Sequence, residues 1–198
     1  MDALTRLVDA LRCLPGLGPK SAQRMVFYLL QHQRQRGLHL AACLQDAMQN
    51  IRNCERCNNY TSEVHCSLCQ DSKRDTSLLC IVETPADVLA IEQSHAYNGH
   101  YYVLMNKISP LDGIGPEDIN LPKLKQLIIA ERIQEIIFAL SPTIEGQTTI
   151  HFINELLRPL DVKISQLAHG IPSGGELEFL DGNTIGSALR NRAMIEHL

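Results

Sequence analysis

The sequence lacks any long apolar run. Its longest apolar stretches, such as Ile136 to Leu140, are five residues or so, whereas a membrane-spanning helix needs roughly 20. No basic segment followed by an apolar one comes after Met1, and we find no internal repeat and no low-complexity segment. These absences argue against a membrane protein, a secretory signal and a repeat array, and we expect a cytoplasmic location.

The overall composition is that of a folded protein. Hydrophobic residues make up 44% and charged residues 20% of the 198 positions, which is too balanced for a disordered chain. This length allows one domain with a sizeable core together with smaller units that need other means of support. We therefore expect two or three compact units.

Charge is distributed unevenly along the chain. Residues 1–53 contain seven Lys or Arg and three acidic residues, which gives them a net charge of +4. Because the whole chain has a net charge of −4, the remaining residues have a net charge of −8. A basic first quarter suggests that a polyanion binds at the N-terminal end. A solvated helical surface would have the same composition, and charge alone does not separate the two interpretations.

The apolar pattern changes from helical to alternating β and α after the first quarter. Apolar residues at helical spacing predict helices over 3–11, 21–31 and 40–52. Short β-branched runs then predict strands, and helical stretches separate them: strands at 79–82, 101–105, 136–140 and 162–167, helices near 86–93, 121–133, 147–157 and 185–195. This alternation predicts an α/β part with a parallel sheet covered by helices.

A glycine-containing turn joins the first two predicted helices. Gly16 and Gly18 allow close backbone approach, and Ser21 is positioned to cap the second helix. Lys20 and Arg24 are four residues apart, so they share one face of that helix. Such a turn can offer backbone N–H groups and a helix N-terminus to a phosphate. A tight connection without a ligand is the alternative that the turn alone leaves open.

Four cysteines form two close pairs with the spacing Cys54-x2-Cys57-x8-Cys66-x2-Cys69. Two such pairs can supply four thiolates to a tetrahedral zinc ion, and a site filled by four thiolates has a structural role because it leaves no position for water. Disulfides are the alternative, which a reducing cytoplasm disfavours. The other three cysteines, Cys13, Cys43 and Cys80, have apolar neighbours, and we predict that they are buried.

Three longer segments, together with the turn and the cysteine spacing, resemble the bacterial RecR family of recombination mediators. They are 109–118, 141–146 and 168–178, and the resemblance runs in order from about residue 4 to 192. It implies a multi-domain α/β protein: a helix-hairpin-helix domain at 1–53, a four-cysteine zinc knuckle at 54–76, a Toprim domain at 77–170 and a C-terminal oligomerisation arm at 171–198. In this family Gly16, Gly18, Lys20 and Arg24 would belong to the DNA-binding motif.

Acidic residues follow the predicted strands where a Toprim domain has its metal site. Glu83 comes directly after the first strand, and active Toprim enzymes have Asp-x-Asp-x-x-Gly after the third. Here that segment is Ser-Pro-Thr-Ile-Glu-Gly at 141–146, without either aspartate. The resemblance therefore implies a face formed by Glu83, Asp87 and Glu145 that binds a protein. Alternatives are helix caps, or a weaker site for Mg²⁺.

The resemblance also implies a function. RecR proteins form dimeric or tetrameric rings, bind RecO or RecF, and help to load a recombinase at gapped or single-stranded DNA without catalysis of their own. One structural Zn²⁺ per chain is expected and Mg²⁺ is the less favoured cofactor. Two other hypotheses are a magnesium-dependent Toprim nuclease or primase, and a zinc-dependent adaptor without a nucleic-acid role.

Overall fold

The computed structural model describes residues 1–109, 111–168, 170–172 and 174–191. The chain divides into two compact units, one from Met1 to Ile51 and one from Arg52 onward. No helix within the described ranges is long and apolar enough to cross a membrane.

The first unit is a set of three helices. These are α1 (Ala3–Leu11), α2 (Pro19–His32) and α3 (Arg34–Asn50). All three were predicted, but α3 begins six residues earlier than the apolar stripe indicated, because Arg, Gln and Leu favour a helix without needing an apolar face. The structure describes every residue of this unit, and only Ala22 and Val26 are buried.

A short ribbon opens the second unit. Strands β1 (Arg52–Asn53) and β2 (Tyr60–Thr61) pair antiparallel, and one helical turn, α4 (Ser67–Gln70), follows. Few apolar side chains lie in this segment, so it cannot form a core by itself.

A four-stranded sheet forms the body of the second unit. In chain order its elements are β3 (Asp75–Val82), α5 (Pro85–Ser94), β4 (Gly99–Val103), α6 (Leu121–Glu131), β5 (Glu135–Ala139), α7 (Ile144–Leu157) and β6 (Lys163–Gln166). The strands lie in the order β4-β3-β5-β6 and every pair is parallel. The predicted parallel sheet is confirmed, and all four predicted strands are present.

Successive residues of β3 point to opposite faces of the sheet and enter two separate cores. Leu79 and Ile81 pack on one side with residues of α6 and α7 such as Leu124 and Ile153. Cys80 and Val82 pack on the other side with Val88 of α5 and Leu68 of α4. The sheet is therefore covered on both faces, as the alternation of β and α segments predicted.

The C-terminal segment forms a 3₁₀ turn at Leu177–Phe179 and then α8 (Gly182–Arg190). Phe179 is 79% exposed. The helix predicted over 185–195 begins three residues earlier, where Asp181 caps it, and its last residues, 192–195, lie outside the described residues.

Gly146 is the position in α7 that should tolerate a side chain least. A Cβ atom there would overlap the backbone carbonyl oxygen of Ser141. We expect Gly146→Ala to destabilise the protein by about 1–3 kcal/mol, as overpacking of an interior does, in thermal or urea unfolding. Gly182→Ala is the control, since nothing lies within 4 Å of its Cβ position; equal stabilities of the two variants would contradict this packing.

Candidate functional site

The turn between α1 and α2 contains two glycines, and the backbone conformation requires one of them. Gly16 has a φ of +81°, a conformation that residues with a Cβ rarely adopt. Gly18 is the N-cap of α2 and Pro19 is its first residue. The prediction that Ser21 caps α2 is wrong, because proline's fixed φ starts the helix two residues earlier.

The start of α2 presents positive charge and unpaired backbone donors. Gly18 has no side chain to accept a hydrogen bond from the first N–H groups of the helix. Lys20 and Arg24 are both exposed, four residues apart. Among the residues that the structure describes, neither forms an ion pair with a carboxylate. The site can therefore accept an anion without first breaking an internal interaction.

The four cysteines of the ribbon converge. The sulfur atoms of Cys54, Cys57, Cys66 and Cys69 all lie within 4.8 Å of one another. The Sγ atoms of Cys57 and Cys66 are 3.5 Å apart, and those of Cys54 and Cys69 are 3.8 Å apart. Zinc–sulfur bonds of about 2.3 Å in a tetrahedron place sulfurs roughly 3.8 Å apart. The cluster can thus bind a metal ion, and its geometry is consistent with Zn²⁺.

Backbone hydrogen bonds hold each cysteine pair in a tight turn. The Cys54 N–H donates to the Asn59 carbonyl at 2.7 Å, and the Cys69 N–H donates to the Cys66 carbonyl at 3.0 Å. The Cys66 N–H also donates to the Cys54 sulfur at 3.3 Å. The hydrogen bond with Cys57 holds the pKa of the Cys66 thiol well below its ordinary value. The same hydrogen bond raises the pKa of the Cys57 thiol, so metal binding, which requires the thiolate form, would release protons from the cluster.

Arg56 and Glu131 were missed from the sequence. The Arg56 guanidinium reaches the Cys69 sulfur and pairs with the Glu131 carboxylate at the end of α6. An arginine inside the first cysteine pair was the available signal, but its partner is 75 residues away, a distance that no local pattern spans.

The remaining cysteines are not alike. Cys80 is buried, as predicted, and burial raises the pKa of its thiol to about 12. The prediction is wrong for Cys13 and Cys43, which are exposed. The apolar residues near these two cysteines belong to helices of the first unit, and most of those apolar side chains are exposed to solvent.

Glu83 and the segment after β5 come together at the carboxyl ends of the strands, as we expected. The backbone N–H of Ser141 donates to Glu83 Oε1 at 2.7 Å. Glu83 also lines a hollow of about 230 Å³ together with Lys107 and Asp112. One carboxylate oxygen of Glu83 is thus used to fix the turn between β5 and α7.

Asp87 and Glu145 act at the starts of helices. Asp87 forms a capping box with Thr84, accepting from the Thr84 N–H at 2.8 Å. Glu145 lies in the first turn of α7, where its own backbone N–H and the Thr143 hydroxyl hold the pKa of its carboxyl below the ordinary value. In the described part of the chain, the four cysteines are the only group of three or more potential ligands close enough to hold a metal ion; the three carboxylates are not brought together.

Three family models match the sequence. A RecR helix-hairpin-helix model matches residues 4–48, a Toprim domain model matches 77–168, and a RecR C-terminal model matches 170–193. The helix-hairpin-helix and Toprim parts of the predicted fold class are confirmed.

Curated relatives match almost the whole chain. "Recombination protein RecR" from Legionella pneumophila strains Corby and Lens is 72% identical over 195 residues, which covers 98% of this chain and 99% of each relative. The protein of the same description from strain Philadelphia 1 is 72% identical and covers 98% of both chains.

The cysteine cluster predicts the metal content of the purified protein. We expect one tightly bound divalent metal ion per chain, and its loss together with a lower melting temperature in Cys57→Ser, because three thiolates cannot complete the tetrahedron. Metal analysis by mass spectrometry measures the first result and calorimetry the second. Cys13→Ser is the control and should keep the ion; an unchanged metal content in Cys57→Ser would show that the cluster is not the site.

Proposed function

The chain belongs to the RecR family of recombination proteins in DNA repair, and from this we propose that it is a non-catalytic mediator that binds DNA without sequence preference. The observation that carries this proposal is the start of α2, which has no side-chain cap and where Lys20 and Arg24 are exposed and have no ion-pair partner among the described residues. The resemblance implies that it acts with RecO or RecF to load a recombinase at gapped or single-stranded DNA.

The DNA contacts that we propose are contacts to phosphate. Gly16 and Gly18 carry no side chains, and nothing lies within 4 Å of their Cβ positions, so a strand can approach the backbone closely at these two residues. The first N–H groups of α2 and its dipole then face a phosphate oxygen. Lys20 and Arg24 add two positive charges on the same helix face. Contacts of this kind position a backbone and do not read bases.

Removing either charge should weaken DNA binding and change its salt dependence. For Lys20→Ala and Arg24→Ala we expect the slope of log affinity against log salt to fall by about 1 each, because each lost phosphate contact releases one counterion fewer. Titration of the full chain with single-stranded and gapped DNA at several salt concentrations measures this.

The control for these variants is Arg158→Ala, which removes an exposed arginine from the second unit and should leave the slope unchanged. Wild-type protein whose affinity does not respond to salt would contradict the phosphate model. An Arg158→Ala effect equal to that of Lys20→Ala would mean that net charge, and not the turn, attracts DNA.

The ion that we propose for the cysteine cluster is one Zn²⁺ per chain, held by Cys54, Cys57, Cys66 and Cys69. When bound, it supplies no reaction chemistry and acts as a cross-link between the two turns of the ribbon. Four free thiols in such a site are typical of a reducing compartment, and we place the protein in the cytoplasm.

We propose that the protein is not a catalyst because of the residues at the carboxyl ends of the sheet strands. Magnesium chemistry on phosphodiesters uses several hard oxygen ligands, and neither Ser141 nor Thr143 supplies a carboxylate. Glu83 accepts a hydrogen bond from a backbone N–H, Asp87 completes a capping box, and Glu145 lies in the first turn of α7. Acidic side chains at this edge of the sheet suit a face that contacts a basic protein partner.

Self-association into a dimer or tetramer ring is also part of the proposal. The first unit buries two residues and exposes apolar side chains along all three helices. A groove of about 720 Å³ in this unit is lined by side chains such as Leu14, Met25 and Leu40. A second copy of the chain would cover this surface, and several copies would combine weak DNA contacts into tight binding.

A negative charge in the exposed apolar stripe of α3, which is formed by Leu40, Leu44 and Met48, should reduce the oligomeric mass. Leu44 is 51% exposed on this stripe, so we expect Leu44→Glu to shift the protein toward a smaller species because a buried unpaired charge is costly. Light scattering after size-exclusion chromatography measures the mass. Gln49→Glu adds the same charge off the stripe and should change nothing; an unchanged mass in Leu44→Glu would exclude this face from the interface.

A further inference from the structure

Arg56 directs its guanidinium at two different groups. Nε donates to Glu131 Oε1 at 2.7 Å, Nη2 donates to Glu131 Oε2, and Nη1 lies 3.6 Å from the Cys69 sulfur. The Arg56 side chain is only 12% exposed. Because the guanidinium is planar and the carboxylate holds two of its nitrogens, the third is fixed on the sulfur side.

Glu131 occupies a place that ordinarily favours a cation. It is the last residue of α6, where the helix dipole is negative and a carboxylate is unfavourable. The pair with Arg56 offsets that repulsion. Arg56 and Glu131 therefore stabilise each other at these positions.

A metal ion bound by four thiolates has an excess of negative charge that a nearby cation can stabilise. A divalent ion with four thiolates retains a net charge of roughly −2, and that charge is costly in a partly buried cluster. Donors to the sulfur atoms reduce the cost. The Cys66 N–H is one such donor, at 3.3 Å from the Cys54 sulfur, and Arg56 is the charged one.

We propose that Arg56, oriented by Glu131, is a positioning residue of the metal centre that stabilises the Cys69 thiolate and thereby sets how tightly the ion is held. This inference rests on the metal binding proposed above. It also ties the ion to the sheet, since Glu131 belongs to α6, which packs on the sheet through Leu124 and Ile128.

The test compares zinc affinities of full-length variants by competition with a chromogenic chelator. Arg56→Ala should lower the affinity about 10- to 100-fold, the usual effect of losing an outer partner of a metal ligand. Arg56→Lys should recover part of the loss, because an ammonium supplies charge but not three directed donors. Glu131→Gln should lower the affinity less, and adding it to Arg56→Ala should cause no further loss.

Cobalt supplies a readout that a purely structural role would not move. In Co²⁺-loaded protein, loss of a hydrogen bond to a thiolate should shift the sulfur-to-metal charge-transfer band of Arg56→Ala relative to wild type. Arg52→Ala is the matched control: it removes an arginine of the same ribbon whose Nε donates to the Glu63 carbonyl and to no cysteine. It should leave both the band and the zinc affinity unchanged.

The outcomes separate the two proposals. Wild-type protein that binds no zinc would overturn the metal centre itself. Wild-type zinc binding with an equal affinity and an equal cobalt band in Arg56→Ala would overturn the role of Arg56 and leave the metal centre in place. Additive losses in the double variant would overturn the part assigned to Glu131. If Arg56→Ala fails to fold by circular dichroism, Arg56→Lys and Glu131→Gln carry the same comparison.

Discussion

The convergence of four sulfur atoms within 4.8 Å is the constraint on which the second unit depends. Residues 52–70 contain little apolar surface, and loop closure without a core costs conformational entropy that the segment cannot recover by burial. An ion bound by the four cysteines would offset that cost. Once the ribbon is fixed, Leu68 can enter the core on one face of the sheet and Arg56 can reach α6.

Charged side chains in this protein divide into those that are used internally and those that are left free. Asp87, Glu83 and Glu131 each complete a local structure: a helix cap, a turn or an ion pair. Among the described residues, Lys20 and Arg24 form no ion pair. Charges without an internal partner remain available to attract an external one. For this reason the basic turn is better suited to a nucleic-acid contact than the acidic residues at the edge of the sheet.

The parts of the fold that could be predicted are those set by periodicity over several residues. The strand around Cys80 and the helix around Val88 follow from apolar patterns, and the cysteine pairs follow from spacing. The exact start of α2 and the burial of two cysteines were not predicted correctly, because neighbouring residues determine them. Proline displaced Ser21 as the start of α2. Cys43 is exposed because α3 lacks a covering layer, and Cys13 lies in the exposed turn after α1. The contact between Arg56 and Glu131 could not be predicted because only tertiary structure brings them together.

Strand β4 lies at an edge of the sheet, and the ribbon is what closes that edge. The Val103 N–H donates to the Cys57 carbonyl at 2.8 Å, and the Asn58 side chain donates to the Val103 carbonyl at 2.8 Å. An edge strand stripped of such partners is a template on which strands of other molecules can add. Oxidation or chelation that opens the ribbon would therefore do more than loosen one module. It would also leave the Val103 end of β4 open to pairing with strands of other molecules, so opening of the ribbon would favour aggregation.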